Sequence, residues 1–299
     1  MDKYPEHDQE YFFKFTEVST AKLILESQEF RYSSPLTFND PFDLQTDLYF
    51  DFDISDFPER VVNELHSVVT GKRQVDLSGD GDWVKPTRFL KEKHEEGRYQ
   101  KRHLDSLVKP LIFELTKMFE ESRAQYNEHW KGLQKRIKIF CISETNTSIL
   151  MWSHYAKYHT GVCFKLKVLP EVDNTICAAQ KVTYLPGPPT FFDLEDWIDS
   201  IVIQKDLDFT DLYFRYPLSK SDIWEYEREW RVWAPYEESG SLFCDVPIVE
   251  GEIDSIYFGA NSERQAINDL IALARKSGID KFFKASKSTT QYGVEFQKI

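Results

Sequence analysis

Trp224-Glu225-Tyr226-Glu227-Arg228-Glu229-Trp230-Arg231-Val232-Trp233 alternates along its length. Read as a strand, it sets Trp224, Tyr226, Trp230 and Val232 on one face, with Arg228 among them, and Glu225, Glu227, Glu229, Arg231 and Trp233 on the other. A helix would put Glu225 and Glu229 on one face and turn Glu227 away; the aromatic residues favour the strand. Three carboxylates on one strand face repel each other. That cost is tolerated where the face is in water, or where a cation, a metal or a substrate lies against it. Two readings follow: a half-exposed strand whose charges keep an edge from aggregating, or a carboxylate pair that does chemistry.

Composition narrows the choice. The chain has 299 residues, 41% hydrophobic and 15% aromatic, which supports a sizeable core and argues against disorder. With 37 basic against 50 acidic side chains the net charge is −13, a poor basis for tracking along DNA or RNA. The best local basic cluster, Lys131, Lys135, Arg136 and Lys138, reads as a solvated helix end. Cys141, Cys163, Cys177 and Cys244 form no CxxC pair or zinc-type spacing, which suggests reduced, buried thiols. The start, Met1-Asp2-Lys3-Tyr4-Pro5-Glu6, is polar, and no apolar run approaches the length of a membrane span. A soluble, cytoplasmic protein with no membrane partner is expected.

Residues 1–10 read as a flexible tail and 11–299 as a single α+β domain with a mainly helical insertion at about 56–130. Strands are expected over residues 11–15, 29–33, 137–143, 160–168, 181–185, 229–234, 253–258 and 291–297. Helices are expected over 16–27, with Ser19 as N-cap, over 148–158, and over 262–276, stopped by Gly278. Leu104, Leu107, Val108, Leu111, Ile112, Leu115, Met118 and Phe119 form a helical stripe, and residues 76–82 a surface loop. Strands and helices mix without regular βαβ alternation, hence the α+β class.

Two further segments carry polar side chains between aromatics. In Ser33-Ser34-Pro35-Leu36-Thr37-Phe38-Asn39-Asp40-Pro41-Phe42, the prolines would stiffen a loop in which Asn39 and Asp40 either close a turn or meet a ligand. In Leu150-Met151-Trp152-Ser153-His154-Tyr155, continuing to His159, the rings at i,i+3 and i,i+4 make either core or a platform for a nucleobase or nicotinamide. His154 and His159 face different sides of a helix, so no metal site is expected from them. No GxSxG, HExxH, GxxxxGK[ST] or GxGxxG occurs in a suitable context.

Together these segments resemble the bacterial proteins grouped as domain of unknown function 2971. That family has a tyrosine-lysine first strand, an SSPxxFNDPF loop, an FSE…LMWSHYAxxHxGV segment and a WxYExEWR segment. Here these are Phe13-Lys14-Phe15 and residues 33–42, 140–162 and 224–231, with Phe13 where a tyrosine is usual and Thr16 where an arginine is common. More distantly, the layout is similar to the ADP-ribosyltransferase fold, a split, mostly antiparallel sheet around an NAD cleft. That likeness implies catalytic roles for Glu227 and Glu229 as an ExE pair, with Tyr155 and His154. It implies nucleotide contacts from Lys14, Ser33, Ser34, Asn39, Asp40, Ser143, Trp152 and Arg231. It further implies NAD as substrate, an unidentified protein or nucleic-acid acceptor, and a toxin or antiviral defence role. The carboxylates would stabilise the ribosyl cation, and their replacement by glutamine would leave stability almost unchanged. Two alternatives stand beside it: a magnesium-dependent nuclease or phosphoesterase built on Asp40, Asp43, Glu227 and Glu229, and a non-enzymatic sensor or partner-binding protein.

Overall fold

The computed structural model describes residues 7–53, 55, 57–80, 83–191, 193–202, 214–235 and 240–299. The chain divides into two compact units. One comprises the residues up to Thr46 with Leu133–Pro188 and Pro217–Ile299; the other comprises Asp47–Gly132 and Pro189–Tyr216.

The first unit is built on strands Tyr11–Thr16 (β1), Glu29–Ser33 (β2), Ile137–Ser143 (β3), Val162–Lys167 (β4), Gln180–Lys181 (β5), Thr183–Leu185 (β6), Ser219–Ser221 (β7), Glu229–Pro235 (β8), Phe243–Pro247 (β9), Ile253–Phe258 (β10), Phe282–Lys287 (β11) and Val294–Lys298 (β12). The main sheet runs β12-β11-β10-β4-β1-β3-β2-β9, with β8 on β3 and β5 on β8. It is open and mostly antiparallel; β10–β11 is parallel, as is the separate β6–β7 pair. The fold is therefore mixed α and β, as the sequence suggests.

β3 is where the sheet divides. One edge pairs with β8 from Ile137↔Pro235 to Ser143↔Glu229. The other edge meets β2 at Ser33↔Ile139 and β1 at Phe13↔Ser143. Between those two registers no described strand lies alongside residues 140–142, and the Lys14 ammonium donates to the Cys141 carbonyl at 2.8 Å. A backbone carbonyl inside a sheet must be satisfied; here a side chain does it, and the gap becomes the wall of a cavity.

Strand alternation sorts the side chains. Phe12, Phe140, Ile142, Trp230 and Val232 share a core with Ala21, Ile24 and Leu25 of helix Val18–Ser27 and Leu270 and Ala274 of helix Arg264–Lys276. The first of these helices has Glu17 rather than Ser19 at its N-cap position, without a capping side-chain hydrogen bond. Phe15, Met151, Trp152, Ala156 and Cys163 form a separate cluster. The helix expected over 148–158 ends at His154, because Lys157, Tyr158 and His159 take left-handed backbone angles. His159 brings its carbonyl against Gly259, whose Cβ would overlap it, and a Cβ on Gly161 would overlap the Thr16 carbonyl. Of the expected tail, residues 1–6 lie outside the described residues. His7 is anchored edge-on between Phe12 and Trp230, both at 5.3 Å, and Glu10 accepts from the Val168 amide. The four cysteines are free, and only Cys163 is fully buried.

The second unit contains helices Phe57–Val69, Val84–Glu95, Arg102–Val108 and Leu194–Val202 and most of Ile112–Arg136. Trp197 packs edge to face on Phe57 and Phe119, which stack on each other. The stripe from Leu104 to Phe119 is not one helix. Pro110 ends Arg102–Val108, a 3-10 turn follows, and the next helix starts in a new phase, leaving Leu111 and Met118 exposed. Of the expected loop 76–82, residues 81 and 82 lie outside the described residues.

Gly161→Ala and Gly259→Ala should each cost about 2 kcal/mol or more, because backbone rather than a flexible side chain blocks the new methyl. Gly132→Ala, in a helix with nothing nearby, should stabilise by up to about 1 kcal/mol. Thermal melts of the three variants check both signs; an unchanged melt for Gly259→Ala would contradict the close approach.

Candidate active site

β8 carries Glu229 and Arg231 on the face opposite Trp230 and Val232. Burial there is nearly complete: Glu229 is 4% exposed, Arg231 0% and Glu227 2%. The solvated, aggregation-resisting face that the alternation allows is thus not formed. Nor is Trp224–Glu227 strand. Asp222–Glu227 is a 3-10 turn, and Arg228, with φ of 45°, reverses the chain into β8. Two hydrogen bonds to its carbonyls fix the turn: the Ser143 hydroxyl donates to the Glu227 carbonyl at 2.6 Å, and the Glu144 amide to that of Arg228 at 3.1 Å. Period-two alternation does not distinguish a strand from a tight turn followed by a strand, so tertiary contacts decide.

The carboxylates converge on a cation that sequence reasoning missed. Lys220, from β7, donates to Glu227 Oε2 at 2.5 Å and Glu229 Oε2 at 2.8 Å, and stands 3.6 Å from Asp43 Oδ2. Arg231 binds Glu229 Oε1 at 2.8 Å, Asp43 Oδ2 at 2.6 Å and the Pro217 carbonyl at 2.9 Å. Phe38 lies over the guanidinium, its ring centre 5.7 Å away, and Trp224 over the ammonium at 5.1 Å. β6 adds the Tyr184 hydroxyl, which accepts from the Glu229 amide at 2.7 Å. The only sequence trace of Lys220 is one basic residue in Ser219-Lys220-Ser221, too short a stretch for periodicity to register.

The two glutamates do not share one environment. Burial pushes the Glu227 carboxyl up and nearby Glu229 adds to this, against the pull of Lys220; the net is upward. Burial would raise Glu229 too, but Arg231 and Lys220 outweigh it and hold its carboxyl well below the usual carboxylate range. Burial would lower Lys220, yet Glu229, Asp43 and Glu227 raise it. Tyr155 donates to Glu227 Oε1 at 2.6 Å and is pushed up by burial and by that carboxylate. Burial lowers Lys14.

A cavity of about 390 Å³ opens over this cluster. Lys14, Ser33, Asn39, Ser143, His154, Tyr155, Glu227 and Glu229 all line it, so eight of the sequence-selected residues meet in one place. The other four do not reach it. Ser34 is buried, donating to the Gln134 carbonyl at 2.7 Å; Asp40 caps the Phe42 amide at 2.9 Å. Trp152 is sealed against Phe15, its indole N–H on the Asn146 carbonyl. Arg231 is spent on Glu229 and Asp43 rather than on a ligand phosphate. A second hollow, of about 620 Å³, shares Asn39, His154 and Tyr155 and is also bounded by Lys157, Tyr158 and Trp224. His154 Nδ1 lies 3.0 Å from the Tyr226 hydroxyl. Among the described residues no group of three or more His, Cys, Asp and Glu is placed to hold a metal ion. Asp43, Glu227 and Glu229 surround Lys220 Nζ where a magnesium-dependent nuclease would need its metal.

The family described as Protein of unknown function (DUF2971) matches residues 151–232. The chain resembles that family over a segment that includes Tyr155, Tyr184, Lys220, Glu227, Glu229 and Arg231. No curated protein and no solved structure matches the chain.

The expectation that either glutamate could be replaced at little cost divides accordingly. Glu229, with a lowered folded pKa, stabilises above the unfolded carboxyl value near 4.3, and that contribution is lost as pH falls. Glu227, with a raised one, contributes below the unfolded value and loses that contribution as pH rises through the folded value. At pH 7, Glu229→Gln should cost about 3–5 kcal/mol, leaving Arg231 half-paired, whereas Glu227→Gln should cost less, because burial already works against its charge and Lys220 keeps Glu229 and Asp43. Denaturant titrations of both variants test the asymmetry; equal losses would contradict it.

Proposed function

We propose that this cavity binds NAD and that the chain is an enzyme which breaks the nicotinamide–ribose bond and transfers ADP-ribose to an acceptor or to water. One observation carries the reading: neighbouring glutamates at the floor of a ligand-sized cavity have their pKa values pushed in opposite directions, an arrangement that separates an acid–base group from a fixed anion. Glu229 is the fixed anion, which holds Lys220 and Arg231. Glu227 is the working group.

In the reaction, the C1′–N bond breaks and nicotinamide leaves with the electron pair. The negative potential of Glu227 stabilises positive charge growing on the ribose. The acceptor oxygen then bonds to C1′, and its proton passes to Glu227. Tyr155, at the junction of the two hollows, holds Glu227 Oε1 and sets its rotamer. The second hollow, which shares Asn39, His154 and Tyr155 with the first, would take the acceptor. Lys220 occupies the centre that a magnesium-dependent nuclease would need, which favours the glycosidic reading over that one.

NAD consumption by the purified chain, with water or a cell extract supplying the acceptor, tests this. Glu227→Gln should lose roughly a hundredfold or more in rate while melting near wild type. Because Glu227 works as a base, wild-type activity should fall as pH drops through its raised pKa, and Tyr155→Phe should shift that profile. A folded wild type that consumes no NAD under any of these conditions defeats the proposal.

A further inference from the structure

Asp43 uses only half of its carboxylate. Oδ2 receives Arg231 at 2.6 Å and stands 3.6 Å from Lys220, while Oδ1 is buried and has no hydrogen-bond partner. A buried carboxylate oxygen left unpaired is costly, and this one belongs to a side chain that is 96% buried and lines the cavity. The loop that carries it is tied by its own hydrogen bonds. The Asp43 amide donates to the Asp40 carbonyl at 3.1 Å, Asp40 caps Phe42, and Gln45 ties the Asp40 and Phe38 carbonyls at 3.0 and 3.1 Å. The free oxygen is therefore held in a fixed place before any ligand arrives.

We propose that Asp43 Oδ1 is the anchor for a vicinal diol, the 2′ and 3′ hydroxyls of a ribosyl ligand, and so selects ribose over deoxyribose. The inference rests on the proposed function for the identity of the sugar. Charge argues for a neutral donor. Lys14, Lys220 and Arg231 already balance Asp43, Glu227 and Glu229 in number, so Oδ1 does not call for a further charged donor. Number argues for a diol. One carboxylate oxygen has two lone pairs; an amide N–H serves one, whereas two adjacent hydroxyls serve both. Ser33, Thr37 and Asn39 line the same cavity and can accept from or donate to the remaining sugar oxygens.

Calorimetric titration of the full chain with NAD, ADP-ribose and NAD analogues lacking the 2′ or 3′ hydroxyl of the nicotinamide ribose tests this. Removing either hydroxyl should weaken binding about tenfold or more, the loss of a charge-assisted bond. In Asp43→Asn the amide oxygen stays with Arg231 and turns an N–H₂ toward the sugar, so the charge-assisted bonds are lost and the discrimination should shrink severalfold. The wild-type series decides the matter even if that variant does not fold. Affinities within twofold of NAD for the deoxy analogues, or no binding of any probe, overturn the inference. NAD that binds with the expected discrimination but is not consumed supports Asp43 and removes the catalytic proposal; NAD that is consumed with indifference to both hydroxyls does the reverse.

Discussion

A single buried ammonium organises the first unit. Lys220 lies within 3.6 Å of three carboxylates carried by three different segments: the loop after β2, the 3-10 turn and the start of β8. Its own strand, β7, is only three residues long and pairs with β6, so its backbone contributes little to its placement. The charges fix it instead. Buried ion clusters bring little net stability compared with apolar packing, but removing one member leaves the others uncompensated in a poor solvent. The cluster therefore acts chiefly as a registration device. The turn at Arg228, the side chain of Asp43 and the course of β7 all satisfy Lys220 together, and no one of them is set by local propensity.

This explains which parts of the molecule could be read from the sequence. Strands 29–33, 137–143 and 253–258 agree with the observed boundaries to the residue, since each is an apolar or alternating run between turn residues. Phe243–Pro247, an edge strand with alternate residues half exposed, lacks the apolar content to announce itself. Ser219–Ser221 has no pattern at all. The acidic pair was legible as an oddity, three like charges within five residues, but its resolution lay in a lysine on a different strand. Trp152 illustrates the opposite failure. A tryptophan inside an apolar helical turn has one sequence signature whether it packs on Phe15 or faces a ligand, and only the surrounding strands decide. Tyr155, one turn along, faces the cavity because its hydroxyl has Glu227 to bind.

The segment matching the protein family ends at residue 232 and begins at residue 151. It takes in the ammonium, both glutamates, the arginine and the two tyrosines, and leaves out β1, β3 and the loop that carries Asp43. The two glutamates with their cations and the Asp43 carboxylate thus come from different stretches of chain.

The route of the backbone between the two units adds a mechanical consequence. The chain leaves the first unit after Thr46, re-enters at Leu133, leaves again after Pro188 and returns at Pro217. Asp43 precedes the first departure and Gln134, which holds the Leu44 carbonyl at 2.7 Å, follows the first return. Tyr184 precedes the second departure. Pro217, whose carbonyl receives Arg231, is itself the point of return, with Lys220 just beyond. Two of these junctions thus lie three residues from a group of the ion cluster, Thr46 after Asp43 and Pro217 before Lys220. An insertion or deletion between Asp43 and Thr46, or between Pro217 and Lys220, would therefore displace a charged group of the cluster within the first unit itself.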